Sequence, residues 1–348
     1  MKMPVGSAIK PLSVYGPAFD MGFSPGTPVL NLPIPIKGWV SENGYPQNYG
    51  GGGYTTGVES MRQAINLSHN TSTAQALFTY VGIENSVTYL LKLGVSPSRI
   101  NANGAGLALG SSGISPIEMA AAFGAIANQG QYLEPYAFSK VLNPDGSTYI
   151  DVSQIQVTRQ AFKPSTAWLL VDVLKGCIDG TGPQARFGNI TIAGKTGTNS
   201  DNVGVSFSGM SAYYSASVWV GSDNYKPLIS SATGGAYAAP LWSEIMKNVH
   251  YLTGCTEDRD IVTKTPGSLG LVEATCCAVS GMKPTRACYA SPHGVTTDYY
   301  LSGTEPTQEC NMHRADGALY IPVGHPLRNA KRLRDVEAYF PGATYDEP

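Results

Sequence analysis

A serine and a lysine three residues apart, Ser7 and Lys10, lie at the start of the first apolar stretch of the chain. Residues at helical spacing i and i+3 share a face, so the Lys10 amine can reach the Ser7 hydroxyl and accept its proton. A serine needs an adjacent base to become a strong nucleophile, and a helix N-terminus favours a developing oxyanion. The pair therefore predicts a nucleophile with its general base, although a Ser-x-x-Lys is also expected by chance in 348 residues.

A second short segment places a hydroxyl and an amide side by side, in Ser68 and Asn70. Such a pair could transfer a proton and hold a peptide group of a substrate. Taken alone, the segment is more typical of a turn at the end of a helix. The residue between them, His69, fills the variable position of the pattern, and we assign it no role.

A third segment, Lys195-Thr196-Gly197-Thr198, follows a predicted strand at residues 190–193. It would place a cation and two hydroxyl groups at one edge of a sheet, and Gly197 would let a substrate backbone approach closely. The competing interpretation is a phosphate-binding loop ending in Gly-Lys-Thr. That loop needs glycine where the chain has Asn189, so a nucleotide site is excluded.

The elements that must position these residues follow a simple order. The spacing of apolar residues predicts helices at 7–15, 58–93 and 116–129, a helix at 166–176 capped by Ser165, strands at 190–193 and 212–221, and a closing helix at 239–252. Helices come first, then strands, then one helix, which is typical of an α+β fold and not of alternating β-α-β units.

Composition limits the function classes. The net charge is −2 and charged residues make up 14% of the chain, so there is no basic field for nucleic acid or an anionic membrane. The sequence contains no apolar run of about 18 residues, and we therefore predict no membrane-spanning segment within it. The first ten residues also lack the apolar core of a signal peptide.

Charge and cysteine content both change near residue 252. Residues 1–252 carry 14 Lys and Arg against 13 Asp and Glu, whereas residues 253–348 carry 9 against 12. The second segment also holds five of the six cysteines: Cys255, Cys276, Cys277, Cys288 and Cys310. We therefore predict a main domain at 1–252 and a cysteine-containing extension at 253–348. The cysteines suit disulfides outside the cytoplasm, in one of fifteen pairings. A zinc site is the alternative, but the spacings of eleven and twenty-two residues without Cys-x-x-Cys argue against it.

Taken together and in this order, the three motifs resemble the signature of penicillin-binding proteins and serine β-lactamases. The sequence around the motifs is more specific and resembles the transpeptidase domain of class A penicillin-binding proteins. The segments that carry this resemblance are residues 4–12, 46–51, 115–120, 180–182 and 193–198. The extension is similar to those of class A enzymes from Gram-positive bacteria. The resemblance implies a transpeptidase-like α+β fold, with an antiparallel sheet packed against helices and an all-helical subdomain.

The resemblance also implies a role for each motif residue. Ser7 would be acylated by a peptidoglycan stem peptide ending in D-Ala-D-Ala, or by a β-lactam that mimics it, with Lys10 as the base. Ser68 would relay a proton, and the Lys195 cation would support catalysis. The substrate would be bound by Asn70, Thr196, Gly197 and Thr198, and the backbone N–H groups of Ser7 and Thr198 would form the oxyanion hole. An amine of a second stem peptide would then take the acyl group. No metal or organic cofactor is implied.

The resemblance further implies a location on the outer side of the bacterial membrane. Family members usually carry an anchor and further strands before the nucleophile, whereas this sequence begins six residues before Ser7. We therefore expect an N-terminally truncated domain of reduced activity. The alternatives are a D,D-carboxypeptidase, a serine β-lactamase and a non-catalytic penicillin-binding sensor. None of the glutamates Glu42, Glu59, Glu84 and Glu118 stands in a motif typical of β-lactamase deacylation.

Overall fold

The computed structural model describes residues 3–52, 57–199, 202–315, 319–321, 340 and 343–345. Its α-helices are α1 (Gly16–Asp20), α2 (Met61–Asn66), α3 (Asn70–Ala76), α4 (Ile83–Lys92), α5 (Gly104–Ala108), α6 (Pro116–Ala127), α7 (Pro164–Gly180), α8 (Ala239–Thr253) and α9 (Arg286–Ala290). Its strands are β1 (Pro28–Leu30), β2 (Val58–Ser60), β3 (Gln131–Leu133), β4 (Lys140–Leu142), β5 (Thr148–Asp151), β6 (Thr158–Gln160), β7 (Ala193–Thr198), β8 (Gly204–Met210), β9 (Ser215–Gly221), β10 (Leu271–Cys277), β11 (Val295–Leu301), β12 (Tyr320–Ile321) and β13 (Thr344–Tyr345).

The sheet that carries the third motif is antiparallel, in the order β7-β8-β9. The helix α7 packs against β7, and α6 packs against β9. The strand predicted at 190–193 is wrong, since β7 begins only at Ala193 and itself contains the Lys-Thr-Gly residues. Before it, the Thr191 N–H donates to the Asp258 carboxylate at 2.6 Å instead of pairing with β8. The predicted strand at 212–221 begins later as well, at Ser215.

The segment that carries Ser7 and Lys10 is helical from Gly6 to Asp20 and runs through the core. It opens as a 3₁₀ turn at Gly6–Ile9, widens into a π turn at Pro11–Tyr15 and ends as α1. The apolar side chains along it, among them Ile9, Leu12 and Tyr15, are fully buried. The helix predicted at 7–15 is therefore present, but it is longer and irregular where Pro11 lacks an N–H.

The start of α7 differs from the prediction. The helix begins at Pro164, because proline is favoured in the first turn, and Ser165 is not its cap. The carboxylate of Asp20, at the end of α1, accepts hydrogen bonds there from the Lys163 N–H at 2.7 Å and the Thr166 hydroxyl at 2.8 Å. The end of the segment that carries Ser7 and Lys10 is thereby fixed to α7.

The helical pattern predicted over 58–93 is divided into several elements. It opens with β2, which pairs antiparallel with β1, and continues through α2, α3 and α4. Ser60 caps α2 in a capping box with Gln63. The turn between α2 and α3 holds Ser68, and Asn70 is the first residue of α3.

The cysteine-containing segment packs against the β1–β2 pair. Its strands β10 and β11 form an antiparallel hairpin, with Cys277 opposite Val295. One buried apolar cluster combines residues of both segments, among them Leu32, Val58, Cys277 and Met312. The division at residue 252 stays a prediction. Beyond residue 315 the predicted extension is described only at 319–321, 340 and 343–345.

Candidate active site

A cavity of about 600 Å³ opens where the helical part meets β7. Its walls include residues of all three motifs: Ser7, Ser68, Asn70, Thr196 and Thr198. The two lysines of the motifs, Lys10 and Lys195, are fully buried beside it. Residues up to 191 positions apart in sequence are therefore brought to one place.

Two glycines allow the segment that carries Ser7 and Lys10 to lie directly against β7. A Cβ atom on Gly197 would lie 2.0 Å from the Val5 carbonyl oxygen, and one on Gly6 would lie 2.6 Å from the Thr198 carbonyl oxygen. Gly6 also has a φ of +57°, which favours glycine. The chain's own backbone therefore occupies the space on the Cβ side of Gly197, and contact of a substrate with Gly197 stays a prediction. Gly197 is not among the residues that line the cavity.

The Lys10 side chain contacts the second motif directly. Its Nζ donates to the Asn70 Oδ1 and to the Ser68 carbonyl oxygen, both at 2.8 Å, and lies 3.3 Å from the His69 carbonyl oxygen. Burial, reinforced by the positive charge of Lys195, holds the pKa of Lys10 well below its usual range. A lowered pKa favours the neutral amine, whose lone pair can accept a proton.

Ser68 occupies a strained position between the two lysines. Its φ of +61° is rare for a residue other than glycine, and such strain concentrates at functional sites. The Lys195 Nζ donates to the Ser68 Oγ at 2.9 Å, while the Lys10 Nζ lies 3.5 Å from the same atom. Burial lowers the pKa of Lys195 to about 8, so this lysine is mainly charged at pH 7. Ser68 therefore keeps its own hydrogen available for transfer.

The threonines of β7 present their hydroxyl groups to the cavity. The Thr196 Oγ1 donates to the Thr181 Oγ1 at 2.8 Å, and the Thr198 Oγ1 accepts from the Gly234 N–H at 3.1 Å. These bonds fix both side chains, and Thr181 also lines the cavity. The wall made by β7 is therefore rich in hydroxyl groups, with a buried cation behind it.

A polar network that the sequence did not reveal supports the second motif. The Asn48 Oδ1 accepts from the Asn70 N–H at 2.7 Å, at the start of α3. The His69 Nδ1 lies 2.8 Å from a carboxylate oxygen of Glu59, which is 5% exposed. Glu59 also accepts from the Ser72 hydroxyl at 2.5 Å. These contacts hold His69 and the start of α3 in place. Residues 46–51, already singled out by resemblance, were the only signal in the sequence for Asn48.

Glu59 has its carboxylate committed to this network, and it does not line the cavity. Among the described residues, the cavity wall carries no carboxylate at all. A glutamate that activates water for rapid deacylation is thus not found in the part of the wall that the structure describes.

Two family models match this chain. The family model described as "Penicillin binding protein transpeptidase domain" matches residues 2–247, and that described as "Penicillin-binding protein 1A, C-terminal domain" matches residues 268–315. The chain therefore belongs to the penicillin-binding protein transpeptidase family, as the motifs predicted.

Curated relatives agree with this membership. The chain is 33% identical to penicillin-binding protein 1A of Clostridium perfringens and 34% identical to that of Clostridium botulinum, covering 89% of this chain in each case. It spans 37% of the length of these relatives.

Penicillin-binding protein 1A from Haemophilus influenzae superimposes with a TM-score of 0.70 at 23% identity, over 88% of this chain and 49% of that one. The PonA1 protein of Mycobacterium tuberculosis, in complex with penicillin V, superimposes with a TM-score of 0.63 at 22% identity, over 76% of this chain and 73% of that one. The predicted α+β transpeptidase-like fold is confirmed.

Proposed function

We propose that this chain is a serine D,D-transpeptidase that cross-links peptidoglycan stem peptides through an acyl-enzyme on Ser7. The observation that carries the proposal is the placement of Ser68 between two buried lysines. Lys10, whose pKa lies well below its usual range, donates to the Asn70 Oδ1 at 2.8 Å, and Lys195 donates to the Ser68 Oγ at 2.9 Å. A base and a cation joined through one hydroxyl supply both proton steps that acyl transfer requires.

In the first step, the Ser7 Oγ attacks the carbonyl carbon of the penultimate D-Ala while its proton moves to the Lys10 Nζ. The oxyanion that forms is held by the N–H groups of Ser7 and Thr198. When the C–N bond breaks, Ser68 gives its proton to the leaving D-Ala amine and is reprotonated from Lys10. An amine of a second stem peptide then attacks the ester carbonyl and gives up one proton, the ester C–O bond breaks, and the Ser7 Oγ regains a proton through Lys10. The cross-link is thereby formed and Ser7 is released.

The side chains around the cavity suit the two ends of such a substrate. The hydroxyls of Thr196 and Thr198, with the Lys195 charge behind them, match the terminal carboxylate of the donor peptide. Asn70 matches a peptide amide. In this proposal Gly197 contributes to the site by letting β7 lie close to the segment that carries Ser7.

The same cavity would accept a β-lactam, whose ring amide mimics the acyl-D-Ala-D-Ala bond. Since peptidoglycan lies outside the cell membrane, we place the domain on that side. No helix in the described part of the chain is both long enough and apolar enough to cross a membrane.

The test is turnover of a synthetic stem pentapeptide ending in D-Ala-D-Ala, with and without an amine acceptor. The chain should release one D-Ala for each cross-linked product formed. Lys10→Ala should slow this reaction by about 10²–10⁴-fold, because the base is lost. The exposed lysine Lys226 provides a matched control, and Lys226→Ala should leave the rate unchanged.

The outcomes separate the alternatives. Release of D-Ala with water alone as acceptor would indicate a carboxypeptidase, and rapid hydrolysis of penicillin would indicate a β-lactamase. Binding of penicillin without a covalent adduct or D-Ala release would indicate a non-catalytic sensor. Each of these results would contradict the proposed transpeptidase.

A further inference from the structure

Three cysteines and a histidine of the C-terminal segment meet in one buried cluster, far from the motifs in sequence. The cluster consists of Cys277, Cys288, Cys310 and His313, each of which is at most 9% exposed. Their ligating atoms all lie within 4.8 Å of one another. None of these four residues lines the acylation cavity.

The fold explains how sequence spacings of eleven and twenty-two residues come together. Cys277 ends β10, Cys288 lies in α9, and Cys310 and His313 follow β11, which pairs back onto β10. The last two residues form a Cys-x-x-His pair, a spacing that lets both side chains reach one metal ion. The absence of Cys-x-x-Cys in the sequence therefore did not exclude a zinc site.

Backbone N–H groups point at each of the three sulfur atoms. The Ser280 N–H donates to the Cys277 Sγ at 3.5 Å, the Thr285 N–H to the Cys288 Sγ at 3.4 Å and the Met312 N–H to the Cys310 Sγ at 3.4 Å. Donors around a sulfur stabilise its thiolate form, and such outer contacts orient the ligands of a metal. The cluster is thus arranged for three thiolates.

The distances from the histidine match those between ligands on a single ion. A tetrahedral Zn²⁺, with Zn–S of about 2.3 Å and Zn–N of about 2.0–2.1 Å, holds sulfur and nitrogen about 3.5 Å apart. The His313 Nδ1 lies 3.5 Å from the Cys277 Sγ and 3.5 Å from the Cys310 Sγ. Its only hydrogen-bonding neighbours among the described residues are these sulfurs, which are weak partners for a buried imidazole.

Disulfides, which the sequence favoured, do not account for the cluster. All six cysteines are free thiols in the structure. Three thiols cannot pair among themselves without leaving one over. The neighbouring Cys276 cannot complete a second pair, because adjacent strand residues face opposite sides and its Sγ donates instead to the Gly26 carbonyl oxygen at 3.8 Å.

We propose that Cys277, Cys288, Cys310 and His313 bind one Zn²⁺ ion in a closed, structural site. Binding converts three S–H groups to Zn–S bonds and releases three protons to solvent, while His313 contributes the lone pair of its neutral Nδ1. With four protein ligands no position remains for a catalytic water. The ion would hold β10, α9 and the loop after β11 together against the apolar residues around Leu32.

The test measures metal in the full chain, purified under reducing conditions and supplied with Zn²⁺. We expect about one zinc per chain by elemental mass spectrometry. Replacement by Co²⁺ should give the visible and near-ultraviolet bands of a tetrahedral thiolate complex. Cys277→Ser should weaken zinc binding by about tenfold or more. Cys276→Ser, which changes the adjacent buried cysteine on the other face of β10, should leave it unchanged.

Several results would overturn the proposal: a chain that takes up neither zinc nor tetrahedral cobalt, zinc binding equally strong in Cys277→Ser, or a disulfide within the cluster in the protein as purified. If Cys277→Ser fails to fold, the cobalt spectrum of the unmodified chain decides. Penicillin labelling of Ser7 reports separately on the proposed transpeptidase.

Discussion

At the scale of single residues, the site contains two buried lysines that both lie close to the Ser68 hydroxyl group. Lys10 and Lys195 both approach the Ser68 Oγ, at 3.5 Å and 2.9 Å. Burial disfavours the charge of each, and the cation at Lys195 further disfavours one at Lys10. Both lysines should therefore lose a proton more readily than free lysines do.

This arrangement predicts the pH dependence of acylation by penicillin. The rate should rise as pH rises through the lowered pKa of Lys10, because the base must be neutral. It should fall above about pH 8, where Lys195 loses its proton. In Lys195→Arg the guanidinium stays charged, so we expect the fall at alkaline pH to disappear. Stopped-flow measurement of the acylation rate over pH 5–10 would check this, with the apparent pKa values assigned to the pair.

The unmodified chain and Lys226→Ala serve as the two references for these curves. An alkaline fall that stays near pH 8 in Lys195→Arg would show that another group titrates there, and the assignment of charges to the two lysines would be wrong.

At the scale of elements, α2 is joined to its neighbours by one arginine. The Arg62 guanidinium forms a bidentate contact with Asp298 of β11, at 2.7 Å and 2.6 Å, and a second ion pair with Asp172 of α7 at 2.7 Å. The Asp298 side chain is only 2% exposed. This arginine therefore connects the helix before the second motif to both the core helix and the C-terminal hairpin.

Replacing Arg62 should consequently destabilise the fold. Arg62→Met keeps much of the packing volume but leaves the Asp298 carboxylate buried without its partner, which costs about 3 kcal/mol in the free energy of unfolding. Urea unfolding followed by circular dichroism measures the change. Arg62→Met combined with Asp298→Asn should recover part of the loss, because no unpaired charge remains. Equal stability of Arg62→Met and the unmodified chain would contradict this account.

Local signals in the sequence predicted some elements well and others poorly. The capping box of Ser115 and Glu118, with Pro116 in the first turn, marks the start of α6 correctly, because those bonds are made between neighbours in sequence. The strand β8 went unnoticed because it is buried throughout and contains Ser206 and Ser208. Their hydroxyl groups bond to the Val5 carbonyl oxygen and to Ser217, contacts that no local pattern reveals.

At the scale of the whole molecule, the apolar cluster around Leu32 joins the β1–β2 pair to the cysteine-containing segment. Leu32 is fully buried, so Leu32→Ala should lower the free energy of unfolding by about 2–5 kcal/mol. The rate of penicillin labelling well below the melting temperature should stay the same, since Leu32 does not line the cavity. Val40 is 96% exposed, and Val40→Ala is the matched control with no expected change.

Thermal unfolding and labelling rates of both variants would check this prediction. A labelling rate that falls in step with stability for Leu32→Ala would show that the cluster also shapes the site.

Some contacts between residues far apart in sequence could be predicted from the sequence, and others could not. The motif residues could be predicted because their order and spacing are typical of a known family, and their convergence on one cavity follows from that family's fold. The supporting role of Glu59 and His69, and the meeting of Cys277 with His313, depend on which loops the fold brings together. The sequence predicted disulfides from the number of cysteines alone. It did not predict the pairing of β10 with β11, which brings Cys277 close to Cys310 and His313.

The central claim, that Ser7 is the nucleophile, is tested most directly by mapping the site of a penicillin adduct. The chain is incubated with penicillin, digested and analysed by tandem mass spectrometry. The account predicts one adduct per chain, on the peptide containing Ser7, and none in Ser7→Ala. An adduct on Ser68, or on any residue of Ser7→Ala, would contradict it.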